Sequence, residues 1–160
     1  MSISIDSKGL GLGGFETLTD ISIFGDMTFE DIGKKALEEC RETVVSETKA
    51  ALRASIQHSG ESELVDSVRS YEPSMTRNGE GVRLKCEPSG KSSSGNKYTT
   101  TNRGKSIKKP VRNNDKAFWL EYGVAGRQPA APWKDRAMNN IEPKVTDIIE
   151  NAVGKMLGAD

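Results

Sequence analysis

The stretch Ala117–Met138, AFWLEYGVAGRQPAAPWKDRAM, decides how the chain is read. Its first six residues, Ala117 to Tyr122, are rich in aromatics, as a strand would be. Gly123 and Gly126 tolerate positive φ, so the strand is expected to give way to a loop there. Pro129 and Pro132 stiffen that loop, and Pro132 takes the place of a first helical residue, with the helix running on from Trp133. Strand, glycine exit, proline elbow and helix make one corner. Both tryptophans, Trp119 and Trp133, fall inside it, and burying such rings contributes roughly 2–3 kcal/mol each. Glu121 lies on the expected strand between Trp119 and Tyr122. It could accept N–H bonds from the loop, or pair with Arg127 or Arg136. As a catalytic acid it has no visible partner.

Immediately upstream, residues 89–115 read SGKSSSGNKYTTTNRGKSIKKPVRNND. Lys91, Lys97, Arg103, Lys105, Lys108, Lys109 and Arg112 are opposed only by Asp115. Burial in such a segment cannot offset an ordering cost of about 1–2 kcal/mol per residue. Residues 97–101 have strand character, so the segment is either a long basic loop or a hairpin arm. Deleting residues 90–112 is expected to leave a folded domain. The basic segment could meet the phosphate backbone of nucleic acid, dock on an acidic surface of a neighbouring protein ring, or be a solvated loop.

Before it, Val82, Leu84 and Cys86 alternate with Arg83, Lys85 and Glu87, the pattern of a half-buried antiparallel strand. With a turn over Arg77–Glu80, residues 68–76 and 81–88 form a hairpin. A long helix is expected from about Asp26–Phe29 to Gln57, capped by Thr28, with Glu30 and Asp31 in its first turn. Its inward stripe is Phe29, Ile32, Gly33, Ala36, Leu37, Cys40, Val44, Ala51 and Ser55. The small residues Ala50, Ala51, Ala54 and Ser55 would let another backbone come close. Gly60 ends this helix, and Glu61–Val68 is a short second one, with Ser62 as its cap and Leu64, Val65 and Val68 inward.

After the corner, Pro143 should interrupt the last helix, at roughly 3 kcal/mol if it lay in the interior. A short helix over 132–140 is expected, then a break, then a helix over 142–157. Val145, Ile148, Ile149, Ala152, Val153 and Met156 line the second, and Gly158 stops it. At the other end, residues 1–25 form an N-terminal arm. Ile3 and Ile5 alternate with polar neighbours as an edge strand would, and two readings stay open: packing on its own domain, or ordering against a neighbouring subunit.

The 160 residues fit one domain, with residues 26–160 as its body. Apolar residues are 34% and charged residues 29%, a low apolar share that fits exposed loops or surface covered only on assembly. Formal net charge is zero, so no bulk pull toward nucleic acid or membrane follows. No run approaches a membrane span, and the N-terminus lacks a secretory pattern, so synthesis in the cytoplasm is expected. Cys40 and Cys86 are read as buried free thiols rather than metal ligands. His58 beside Ser59 is read as a solvated or capping histidine. The run Gly9, Gly11, Gly13, Gly14 lacks the Lys-Ser/Thr of a phosphate loop. No catalytic, cofactor or metal residues are assigned.

The order of these motifs resembles the tail-completion, or neck, proteins of long-tailed bacteriophages. One signature is aromatic-Leu-Glu-Tyr-Gly before a short loop and Pro-aromatic, here Trp119–Gly123 and Pro132–Trp133. The other is HSGESELVDSVRS, residues 58–70, which resembles the Thr-Gly-x-Leu-x-x-Ser-Ile segment that follows the long first helix in that family. The resemblance covers roughly residues 29–157, and the basic segment departs from a minimal domain. It implies a non-enzymatic structural protein of the virion, assembled in the host cytoplasm. Such a protein completes the proximal end of the tail as a ring, often of six copies, and joins it to the head. Adjacent neck, connector and tail-tube proteins are the implied partners, with DNA passing through the channel. Neither a membrane nor a small-molecule substrate is implied. A tail terminator or another neck ring protein is the alternative within that class. From another class, the alternative is a stand-alone nucleic-acid-binding protein using the basic segment. Trp119, Glu121, Tyr122, Gly123, Pro132 and Trp133 are the candidate interface or structural corner. Lys97, Arg103, Lys105, Lys108, Lys109 and Arg112 are the candidate arm facing channel or partner. The expected fold is α+β: a small antiparallel sheet of three or four strands, packed by a long N-terminal helix and a C-terminal helix.

Overall fold

A computed structural model describes residues 3–6, 28–56, 62–78, 81–93 and 95–156. In chain order the elements are β1 (Ile3–Asp6), α1 (Phe29–Glu39), α2 (Arg41–Ser55), α3 (Ser62–Asp66), β2 (Val68–Ser70) and β3 (Ser74–Met75). There follow β4 (Val82–Pro88), β5 (Lys97–Asn102), β6 (Lys105–Pro110), α4 (Asn113–Tyr122) and α5 (Lys134–Met156). The class is α+β, with two small antiparallel sheets.

β4 is the spine of the first sheet. β1 pairs along one edge, with Ile3 opposite Cys86 and Asp6 opposite Arg83. β2 and β3 share the other edge, Ser70 opposite Cys86 and Met75 opposite Val82. Ile3–Asp6 therefore pairs with the chain's own sheet. The alternation expected of β4 is present: Val82, Leu84 and Cys86 are buried and Arg83 is exposed. α1 and α2 cover this sheet, and α5 packs along α1 and α2 on their far side. The core runs through Leu37, Val44, Leu52, Leu84, Ile141 and Val145 to Trp133, which is fully buried.

Four sequence expectations are corrected. Ala117–Tyr122 is helix, the last six residues of α4, and not strand. Its buried members are Asn113, Ala117, Leu120 and Glu121, spaced as one helical face, while Phe118 and Tyr122 lie outside. The long N-terminal helix is two helices broken at Cys40. There the thiol donates to the Ala36 carbonyl at 3.3 Å, and the Cys40 N–H turns to Leu37 O at 3.2 Å. Pro143 does not break the last helix, which is continuous over 23 residues. The proline stands on the exposed face, so the carbonyl it leaves without a partner can meet water. The stripe Ala137, Ile141, Val145, Ile149 passes it undisturbed. Pro132 is not the first helical residue: the first helical bond runs from Ala137 N–H to Trp133 O, and α5 starts at Lys134.

Other expectations hold. Thr28 caps α1 in a reciprocal box with Asp31, whose carboxyl is held below its ordinary range by the Thr28 hydroxyl and N–H. Both cysteines are buried free thiols, and burial pushes each up to about 11. Leu64, Val65 and Val68 point inward, although Ser62 is the first residue of α3 and Val68 already belongs to β2. The small end of α2 does admit a neighbour: Ser55 Oγ lies 3.4 Å from Pro132 O and accepts from Arg136 Nη1 at 3.2 Å. Expectations placed on residues 7–25, His58, Ser59, Gly60, Glu61, Gly79, Glu80 and Gly158 lie outside the described residues.

Candidate functional site

Two features stand out: the α4–α5 corner and the hairpin before it. At the corner, α4 ends on Gly123 at φ +75°, and a Cβ there would stand 2.8 Å from Ala130 N and 2.9 Å from Gln128 O. The chain loops back through Val124–Gln128, whose ends exchange backbone bonds at 2.8 and 3.0 Å. Ala131 N–H then donates to Leu120 O at 2.8 Å, and Trp133 turns into α5.

Glu121 is the joint of this corner. Its Oε2 accepts from Trp133 N at 2.8 Å and from Lys134 N at 3.0 Å, so a buried carboxylate caps the first turn of α5. The negative charge sits at the positive end of that helix. Of the two structural roles open to Glu121, the structure shows the N–H acceptor. Arg136 goes to Ser55 instead. The Trp133 indole N–H donates to Ala117 O at 3.0 Å, tying α5 back to α4. Glu121, Gly123 and Trp133 are therefore internal supports. Pro132 is exposed, and its carbonyl lies beside the Ser55 hydroxyl.

The outer face of α4 differs. Phe118 is 50% and Tyr122 61% exposed, and their rings meet at 4.8 Å. Phe118, which is not one of the candidate corner residues, stands one helical turn before Tyr122, and that i, i+4 spacing brings the two rings together. Trp119 is half-buried, and Tyr98 of β5 meets its ring edge-on at 5.6 Å.

The basic segment is a hairpin. β5 and β6 pair over six rungs from Lys97↔Pro110 to Asn102↔Lys105. Arg103 and Gly104 turn it with φ of 49° and 76°, the two-residue turn whose twist suits a hairpin. Lys97, Arg103, Lys105, Lys108, Lys109 and Arg112 are all exposed. The root of the hairpin is fastened to the body. Glu63 accepts from Ser93 N and Ser93 Oγ at 2.7 Å each, bonds that hold its carboxyl below its ordinary range. Val111 is buried, and Asn113 Nδ2 donates to Ser89 O at 2.8 Å. The separable arm is thus residues 97–110, narrower than the 90–112 expected from sequence.

Among the described residues no three His, Cys, Asp or Glu side chains gather as a metal-binding set, and no helix is long and apolar enough to cross a membrane. Comparison with models of protein families, with curated proteins and with solved structures gives no match for this chain.

Proposed function

We propose that the chain is a structural subunit of a phage virion at the head–tail junction. It works as a closed ring of identical copies that completes the proximal end of the tail and joins it to the head. The observation that carries this is the exposed Phe118–Tyr122 pair, on the helix that leads into the corner bearing the family resemblance. Paired aromatics left in water on an otherwise packed helix mark a contact surface. Covering what remains exposed of the two rings removes on the order of 200 Å² from water, at most about 5 kcal/mol per copy. A ring repeats that gain at every joint by rotation.

Light scattering on the purified chain tests the proposal. A closed ring is expected, and the double variant Phe118→Ser/Tyr122→Ser should run as a monomer with unchanged helix content. In a phage carrying this chain, deleting it should leave filled heads beside unattached tails. A wild-type monomer at high concentration, or a ring indifferent to the double variant, would overturn the assignment.

A further inference from the structure

We infer that the β5–β6 hairpin binds duplex DNA by entering the major groove, with lysines on its two faces holding phosphates of both strands. Opposed residues of an antiparallel pair share a face, so the register divides the cations. Lys97 and Lys108 lie on one face with Thr99, Thr101 and Ser106. Lys105 and Lys109 lie on the other with Tyr98, Thr100 and Ile107, and Arg103 occupies the tip. A flat acidic protein surface would engage one face and leave the opposite lysines idle. A groove walled by phosphates on both sides uses all of them.

Dimensions agree. Six paired residues extend roughly 20 Å, and the major groove, about 12 Å wide, admits a two-stranded ribbon. None of these five cations has an ion-pair partner among the described residues, so all five are available to phosphates. The ribbon is also held in place at its root by the Tyr98–Trp119 edge contact.

Charge is segregated along the chain. Of 23 basic and 23 acidic residues, residues 91–112 hold seven basic and no acidic. The remaining 16 basic and 23 acidic residues give the rest of the chain a net of −7. DNA is therefore attracted to the arm and repelled by the body, which a net charge of zero conceals. Threonine and serine hydroxyls are short phosphate donors, and only the tip residues Asn102, Arg103 and Lys105 could reach base edges. Contact is accordingly phosphate-dominated and tolerant of sequence.

This gives the arm of the proposed ring its partner, but it does not require ring closure, so both the wild type and Phe118→Ser/Tyr122→Ser should bind. If the ring fails and binding stands, only the ring is lost; if binding fails in both, only the groove contact is lost. The test is fluorescence anisotropy of a labelled 20-base-pair DNA duplex of mixed sequence, titrated with the full chain at stepped KCl. The affinity should fall with salt by about 0.9 log units per log unit for each phosphate neutralised. Lys97→Ala/Lys108→Ala and Lys105→Ala/Lys109→Ala should each reduce that slope by about 2, with melting temperature unchanged because all four residues are exposed. Excising residues 97–110 should abolish binding. Duplex RNA of the same sequence should bind at least about tenfold more weakly, because its deep major groove is too narrow for the ribbon. No binding at low salt, a slope that responds to only one of the two double variants, or equal affinity for the RNA duplex would each overturn the groove contact.

Discussion

Replacing Glu121 by alanine tests the joint on which the corner turns. The carboxylate makes two short bonds to the first N–H groups of α5, at 2.8 and 3.0 Å, from a site 9% exposed. Hydrogen bonds to a charged group contribute about 1.5–3 kcal/mol each, and loss of a helix cap costs about 1 kcal/mol. Against this stands the desolvation of a buried carboxylate, which its removal relieves. The net loss is then about 2–4 kcal/mol, because the Trp133 N–H is left in a residue with no solvent exposure. Glu121→Gln keeps an acceptor oxygen and loses the charge, so it should cost about 1 kcal/mol. In urea unfolding the alanine variant should lower the midpoint by roughly 1–2 M at unchanged slope, and the glutamine variant by less than half that. An alanine variant within about 0.5 kcal/mol of wild type would refute the capping role.

Three further outcomes concern the glycine of the corner and the two buried thiols. Gly123→Ala forces a side chain onto φ +75° and against Ala130 N, so it should lower the melting temperature by roughly 4–8 °C through a loss of about 2 kcal/mol. Cys40 and Cys86 should not react with a thiol reagent at pH 8 in the native protein and should both react in denaturant. Their thiols ionise near 9.0 when unfolded and at about 11 when folded. Between those values the unfolded chain has lost protons that the folded chain keeps, so stability should fall as pH rises from 9 to 11, as denaturation midpoints would show.

Much of the architecture was legible because its signals are local. The Val82–Leu84–Cys86 alternation, the Thr28–Asp31 cap and the glycine exit at Gly123 each follow from a few adjacent residues. α4 was not, and the reason is physical. Its inward face is Asn113, Ala117, Leu120 and Glu121, of which only one is large and apolar. The conspicuous aromatics, Phe118 and Tyr122, point to water. A hydropathy pattern therefore sees a dense aromatic run and not a helical stripe. At the Cys40 break the backbone N–H turns to the Leu37 carbonyl one residue short of the helical partner, and the continuity of α5 depends on which way Pro143 faces. Neither choice is written in residue order. Residue order offers Glu121 two roles, accepting N–H bonds or pairing with an arginine, and the choice between them, like the helix it caps, needed three dimensions.

The placement of the two tryptophans gives the molecule a built-in optical readout. Trp133 is sealed in the core with its indole N–H satisfied, so its emission should change only when the body opens. Trp119 is half-buried against Tyr98, so its emission should follow the seating of the arm. With Trp119→Phe and Trp133→Phe single variants, one spectrum separates loosening of the ribbon from melting of the domain, without any attached dye.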